Sequence, residues 1–276
     1  MSNRKKIAAL NGYSNYTGTA AQNTDLLNKL KSGTLIQSNS DSDSDTSDSS
    51  SSATTTTMMN RLKQSSSYSD KKDTLVAMGT VLLDSGYEAA FVAGILGNIV
   101  AEGSVGKFES SNYVSNPSAE PQYLKYMDQN YSYRTKYSGK CVTDVSLSEL
   151  SSLMTTLANL NWEQGKFGLG CIQWTGSRTK TLVDLYVQYA GGNDKITLTQ
   201  ATKAEAKMIG NELAGAYQKI HTKWKTKHSG SLNSETAAYD AGSDICISYE
   251  VPADKENKAK TRGNTAINIY NIMMGN

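Results

Sequence analysis

The chain has 276 residues, and 28 basic against 26 acidic side chains give a net charge of +2. This balance excludes a protein that binds nucleic acid through a strong positive charge, and we expect no nucleic-acid partner. No apolar run approaches the ~18–20 residues that a membrane-spanning helix needs. The most apolar stretch, 89–101, is too short and contains Gly94, Gly97 and Asn98.

The N-terminal sequence MSNRKKIAALNGYSN begins like a secretory signal but has only four consecutive apolar residues, 7–10. A signal peptide needs ~7–15 such residues, so we expect none. A protein without one that acts outside its cell of synthesis must leave by lysis or within an assembled particle.

Cysteine and histidine are sparse and widely spaced. The three cysteines, Cys141, Cys171 and Cys246, form no CxxC pair, and the only histidines are His221 and His228. We therefore predict buried thiols, and we expect neither a metal site nor a cofactor.

The composition divides the chain into three parts. Residues 1–37 carry one short leucine pattern, too small to fold alone, and we predict a segment that docks on a partner; a disordered tail is the alternative. Residues 38–70 are predicted as a Ser/Asp/Thr-rich linker, because 38–57 contain no branched aliphatic or aromatic residue. Residues 71–276 form the predicted folded domain.

Helical spacing dominates this domain. Asp70 or Asp73 is a predicted N-cap, and Gly86 a predicted C-terminal stop, of a first helix. A second helix, about 87–101, is apolar around most of its circumference and should be buried, with its glycines explained if another backbone packs closely against them. Further helical patterns span 146–160, the residues after 177, 200–227, 233–249 and 255–274. The fold class is therefore predicted as mainly α with little sheet.

Glu102 is the most informative polar residue, because it closes the apolar helix and precedes Gly103-Ser104. The apolar surroundings and the negative end of the helix dipole both favour a protonated carboxyl group, which is what donating a proton to a glycosidic oxygen requires. Asn98 lies four residues earlier on the same helix face and could contact a substrate. A solvated glutamate at a helix end is the simpler alternative.

The segment Gly168-Leu169-Gly170-Cys171-Ile172-Gln173-Trp174-Thr175-Gly176 combines features of a sugar-binding surface. Its glycines permit close approach of a ligand, the amide of Gln173 can bind hydroxyl groups, and Trp174 offers a flat face. A turn with a buried tryptophan is the alternative.

Together these motifs make the chain resemble the phage tail lysozyme family, within the lysozyme and lytic-transglycosylase superfamily. The resemblance covers about residues 72–275. It rests on FVAGILGNIVAEGS, on GLGCIQWTGSR and on the late Tyr249-Glu250-Val251-Pro252, which stand in the family's order. Glu102 is followed by Gly-Ser-Val-Gly instead of the more usual Ser-Gly-Phe type of segment.

The resemblance implies a lysozyme-like α fold and a peptidoglycan hydrolase of muramidase type, with Glu102 as general acid. Gln173, Trp174 and Tyr249 match positions that line the cleft or lie near it, and Arg178 is expected to pair with a carboxylate. The second catalytic group stays open among Glu250 and the loop residues Glu109, Glu120 and Asp128. Without a second carboxylate, a transglycosylase route becomes available.

The implied location is the virion tail, with bacterial peptidoglycan as substrate and other tail proteins as partners of the N-terminal segment. Three rival functions remain at this point: a free endolysin that acts during host lysis, a structural tail-tip protein with little activity, and a thiol peptidase that uses Cys171 and His221. The intact Glu102 argues against the structural protein.

Overall fold

The structure, a computed structural model, describes residues 8, 13, 16–31, 48–109, 137, 139–159, 168–250 and 254–276. The chain divides into two compact units, residues 1–50 and 51–276. In the first unit, helix α1 spans Ala20–Lys31, and Leu27 is exposed on it. The docking role predicted for residues 1–37 stays a prediction.

A second helix occupies much of the predicted linker. Helix α2 spans Asp48–Gln64, and Met59 and Leu62 are buried in the core of the second unit. Arg61 donates hydrogen bonds to the carbonyl oxygens of Met273 and Met274 at 3.0 and 2.7 Å. Residues 48–64 of the predicted linker 38–70 are therefore helical, and the end of this helix packs on the second unit; the division of the chain into three parts stays a prediction.

The remaining helices follow the predicted order. They are α3 Lys72–Asp84, α4 Ala89–Glu102, α5 Leu147–Asn159, α6 Ser177–Ala190, α7 Leu198–Ala214, α8 Gln218–Lys227, α9 Glu235–Ile245 and α10 Lys255–Met274. A 3₁₀ turn spans Val142–Asp144, and a π-helical turn, Cys246–Glu250, extends α9. The mainly α fold class is confirmed.

Two local predictions about α3 have different outcomes. Gly86 has φ +87° and ends the helix as predicted. The predicted caps Asp70 and Asp73 are wrong, since the N-cap is Lys71 and no side chain accepts a bond there. The ammonium group of Lys71 instead donates to the carbonyl oxygen of Gly103, at 2.7 Å.

Helix α4 lies at the centre of the unit, packed closely on α9 and α10. A Cβ atom at Gly94 would lie 2.5 Å from the Cβ of Ala241 in α9, and one at Gly97 would lie 3.0 Å from the carbonyl oxygen of Arg262 in α10. The close backbone approach predicted from these glycines is therefore confirmed. This packing fixes the end of α4, where Glu102 lies, against α10.

Among the described residues, extended structure is limited to isolated antiparallel bridges that join Lys107 to Cys141, Phe108 to Leu169, and Leu169 to Trp174. These bridges hold the segment after α4 beside the glycine-rich segment 168–174. No helix within the described ranges is both long enough and apolar enough to cross a bilayer.

Candidate active site

Glu102 ends α4 with its side chain 24% exposed, so that the carboxylate is accessible from one side. On the other side, Oε1 accepts a hydrogen bond from Nη2 of Arg262 at 2.7 Å. Arg262 is itself a buried residue of α10. The ammonium group of Lys71 also lies near this carboxylate, and burial lowers the pKa of Lys71.

Gln173 connects the chain after Glu102 to the glycine-rich segment. Its Nε2 donates to the carbonyl oxygens of Gly170 and Lys107, at 2.9 and 3.2 Å. A Cβ atom at Gly103 would lie 2.9 Å from this Nε2, and one at Gly168 would lie 2.4 Å from Oε1. The side chain is partly exposed, so Gln173 stays available to a substrate while it holds the two segments together.

Glu205 of α7 is a buried carboxylate that binds both the segment after Glu102 and the glycine-rich segment. It accepts hydrogen bonds from the backbone N–H of Gly106 at 2.6 Å, the backbone N–H of Cys171 at 2.8 Å and the hydroxyl of Tyr186 at 2.5 Å. Burial raises the pKa of Glu205, and these donors partly offset that effect. Glu205 thus fixes the loop that follows Glu102 without facing the site itself.

Glu212 of α7 binds both aromatic residues that the family resemblance placed in or near the cleft, Trp174 and Tyr249. It accepts bonds from Nε1 of Trp174 at 3.0 Å, from Nε and Nη2 of Arg178 at 2.7 and 2.9 Å, and from the hydroxyl of Tyr249. The guanidinium of Arg178 also stacks over the Tyr249 ring, 4.7 Å from its centroid. The predicted pairing of Arg178 with a carboxylate is confirmed.

Trp174 and Tyr249 are 0% and 4% exposed. Predicted direct contacts between a sugar and either ring conflict with this burial, because their polar atoms are already bound to Glu212. Their placement instead supports the alternative of a structural role that shapes the wall of the site.

Asn98 conflicts with its predicted role for a similar reason. It is 0% exposed inside the packing of α4 against α9, and its Nδ2 donates to the carbonyl oxygens of Gly94 and Gly242 at 2.9 and 3.0 Å. A residue four positions before Glu102 does share its helix face, but here that face continues into the core. The amide therefore binds backbone rather than facing the site.

Glu250, at the end of the π-helical turn, adds a second carboxyl group near Glu102. Its Oε1 is buried and has no hydrogen-bond partner. Burial, followed by repulsion from the Glu102 carboxylate, raises the pKa of Glu250 well above its ordinary range. Of the loop candidates, Glu109 accepts a bond from the backbone N–H of Gly168 at 3.1 Å, whereas Glu120 and Asp128 lie outside the described residues.

Thiol chemistry finds little support. Cys171 and Cys246 are fully buried and Cys141 is partly buried, all as free thiols. Burial and the nearby Glu205 raise the pKa of Cys171, whereas a nucleophilic cysteine needs a lowered pKa and access. His221 bonds to Glu88 at 2.9 Å. In the described ranges, no group of three or more His, Cys, Asp and Glu side chains is arranged to hold a metal ion.

Sequence reasoning missed the residues that support the site: Lys71, Glu205, Glu212 and Arg262. Arg262 pairs with Glu102 across 160 positions, and the sequence around it is an ordinary polar helix. The available signal was Glu205, a carboxylate among apolar residues at helical spacing, since a buried carboxylate needs several donors.

Comparison with known proteins gives the site its context. The sequence profile described as phage tail lysozyme matches residues 73–273, a range that includes Glu102, Gln173, Glu250 and Arg262. We found no match among curated proteins and none among solved structures. The profile match covers most of the chain and shows that it belongs to the phage tail lysozyme family.

Proposed function

We propose that the protein is a tail-associated peptidoglycan hydrolase of muramidase type, which opens the bacterial cell wall locally during phage entry. Membership of the family indicates a phage-associated, lysozyme-like glycoside hydrolase. The tail location, the role in entry and the catalytic residue are our additions. The observation that carries them is the partly exposed Glu102 carboxyl at the end of a buried helix, bonded to Arg262.

In this proposal Glu102 is the general acid. Its proton passes to the glycosidic oxygen while the bond from that oxygen to the anomeric carbon breaks, and the bonding electrons stay with the oxygen. In hydrolysis a water oxygen then bonds to the anomeric carbon and releases a proton, which restores Glu102. In the transglycosylase alternative, a hydroxyl of the substrate itself takes the place of water.

Gln173 is the proposed substrate contact, since its amide is partly exposed beside Gly103. Trp174, Tyr249 and Asn98 contribute to the proposal only as supports, because they are buried. Glu205 and Glu212 hold the segments on which Glu102 and Gln173 lie.

Digestion of purified peptidoglycan, followed by mass spectrometry of the products, tests the activity. Wild type should release muropeptides with reducing-end sugars, and Glu102→Gln should release about 10²–10⁴-fold less in the same time. Glu149→Gln, the same chemical change at an exposed position on α5, is the matched control and should act like wild type. Anhydro-sugar ends would assign the reaction to the transglycosylases. A folded wild type that cleaves nothing would favour the structural tail-tip protein.

Immunodetection on purified phage particles tests the location. A tail-associated enzyme should be retained on washed virions, with label concentrated at the tail. The rival endolysin should instead be found in lysates and be absent from particles. This experiment is independent of the catalytic assignment.

A further inference from the structure

Glu102 presents a problem for acid catalysis. A general acid must carry a proton, yet the nearest charged group, Arg262, donates a 2.7 Å hydrogen bond to it. An arginine stays charged at any physiological pH and favours an ionised neighbour. The site therefore needs a feature that keeps a proton available.

Glu250 lies on the structural elements that hold the Glu102–Arg262 pair. It ends the π-helical turn that follows α9, while Glu102 ends α4 and Arg262 belongs to α10. These helices touch through glycines: a Cβ at Gly242 would lie 2.7 Å from the carbonyl oxygen of Arg262. The π-helical turn packs on α10 as well as extending α9, and Glu102 and Arg262 are among the charges that act on Glu250.

Two polar atoms in this group are buried without a hydrogen-bond partner. They are Oε1 of Glu250 and Nε of Arg262. A buried carboxylate that lacks a partner is costly, whereas a neutral carboxylic acid in the same place costs much less. With both carboxyls ionised, one arginine leaves the group with a net negative charge; with one proton, the group is neutral.

We propose that Glu250 is the second functional carboxyl of the site, and that Glu102 and Glu250 hold one proton between them beside Arg262. This inference rests on the proposed function and assigns Glu250 as a positioning residue that acts through Glu102. The proton resides mainly on Glu250 in the free enzyme. When a glycosidic oxygen approaches, the proton moves from Glu250 to Glu102 and from Glu102 to that oxygen. The proton released by the attacking water or hydroxyl then restores the pair.

The other charges around the pair are compatible with this arrangement. Arg178 and Arg262 oppose protonation of Glu250, whereas Glu102 and Glu212 favour it, and burial is the largest influence. Lys71, from the start of α3, lies near Glu102. Among these groups Glu212 is already engaged by Arg178 at 2.7 Å, so the Arg262 guanidinium is the cation that the two carboxyls of the pair share.

The pH dependence of peptidoglycan cleavage tests this proposal with Glu250→Gln. Without the second carboxyl, the shared proton has one carboxyl fewer to reside on beside the charged Arg262. The alkaline limb of the rate profile should therefore lie at lower pH in Glu250→Gln than in wild type. Glu250→Asp, which keeps a carboxyl group, should shift the limb less. Glu149→Gln serves as the matched control.

Thermal unfolding between pH 5 and pH 8 provides a readout without substrate. A carboxyl whose pKa is raised on folding stabilises the protein at low pH, and this stability is lost as the pH rises through the folded pKa. Wild type should lose more Tm between pH 5 and pH 8 than Glu250→Gln. Glu102→Gln should also reduce the loss, because the charge that repels an ionised Glu250 is gone.

Identical pH profiles for wild type and Glu250→Gln, or a uniform loss of rate at every pH, would overturn the shared proton. Parallel curves of Tm against pH for wild type and both Gln variants would also overturn the shared proton. This measurement does not require Glu250→Gln to be active. Failure of the proposed function looks different, because then wild type itself cleaves no glycan. Cleavage by wild type but not by Glu102→Gln, with an unshifted Glu250→Gln, would refute only this inference.

Discussion

The contact between α4 and α9 gives a sharp test of how the site is built, through Gly94→Ala. The added Cβ would lie 2.5 Å from the Cβ of Ala241 and 2.7 Å from the backbone nitrogen of Gly242. Ordinary contact begins near 3.4 Å, so the helices must separate by roughly 1 Å, because backbone atoms cannot rotate away as a side-chain tip can. The bond of 3.0 Å between Asn98 and Gly242 would be stretched as well.

Overpacking of this kind costs about 3 kcal/mol at the upper end of its usual range, and the better helix propensity of alanine returns about 1 kcal/mol. The net loss of about 2 kcal/mol should lower Tm by roughly 4–8 °C for a unit of this size. Gly210→Ala in α7 is the matched control, since its Cβ would meet only the Tyr87 hydroxyl at 3.9 Å. That change should leave Tm equal or slightly higher.

Circular dichroism at 222 nm during heating measures both variants. If Gly94→Ala were as stable as wild type, or if Gly210→Ala were the more damaging change, the close packing of α4 on α9 would be refuted. The same variant should also cleave peptidoglycan more slowly at a temperature where it is fully folded, because α4 carries Glu102.

Three further predictions concern separate parts of the molecule. Leu62→Ala should lower the free energy of unfolding by about 3 kcal/mol in urea titrations, because Leu62 is buried. An unchanged free energy of unfolding would show that α2 does not pack on the core and would favour the predicted linker. Tyr249→Phe should cost about 1 kcal/mol by losing its bond to Glu212 while KM for glycan stays constant, and a raised KM would return Tyr249 to the binding surface. Cys171→Ala should keep its cleavage rate per folded molecule, whereas loss of activity in the folded variant would revive the thiol peptidase.

Much of the helical framework could be predicted because apolar spacing reports directly on burial. Leu75, Met78 and Leu82 marked α3, and the nearly continuous apolar run marked α4 as central. The boundary of the predicted linker could not be placed from composition, because the serine and threonine residues that begin α2 resemble a flexible tract. The apolar residues at its end, such as Met59 and Leu62, reveal that this helix packs on the core.

The site was partly predictable for a different reason. Glu102 and Gln173 occur in local motifs, so their neighbourhood could be inferred from adjacent residues. The side chains that support them come from α3, α7 and α10, and nothing in the local sequence pairs Arg262 with Glu102. Whether Trp174 and Tyr249 face a cleft or the core depends on Glu212, which an aromatic residue's own sequence context does not reveal.

The rate of glycosidic-bond cleavage by wild type and Glu102→Gln, measured on one soluble glycan fragment at one pH, tests the central claim most directly. Glutamine keeps the size of the side chain and removes the transferable proton, and a general acid contributes about 10²–10⁴-fold to a rate. Our account predicts a fall of that order in a variant that remains folded. A rate within a few fold of wild type would contradict the assignment of Glu102 as the acid.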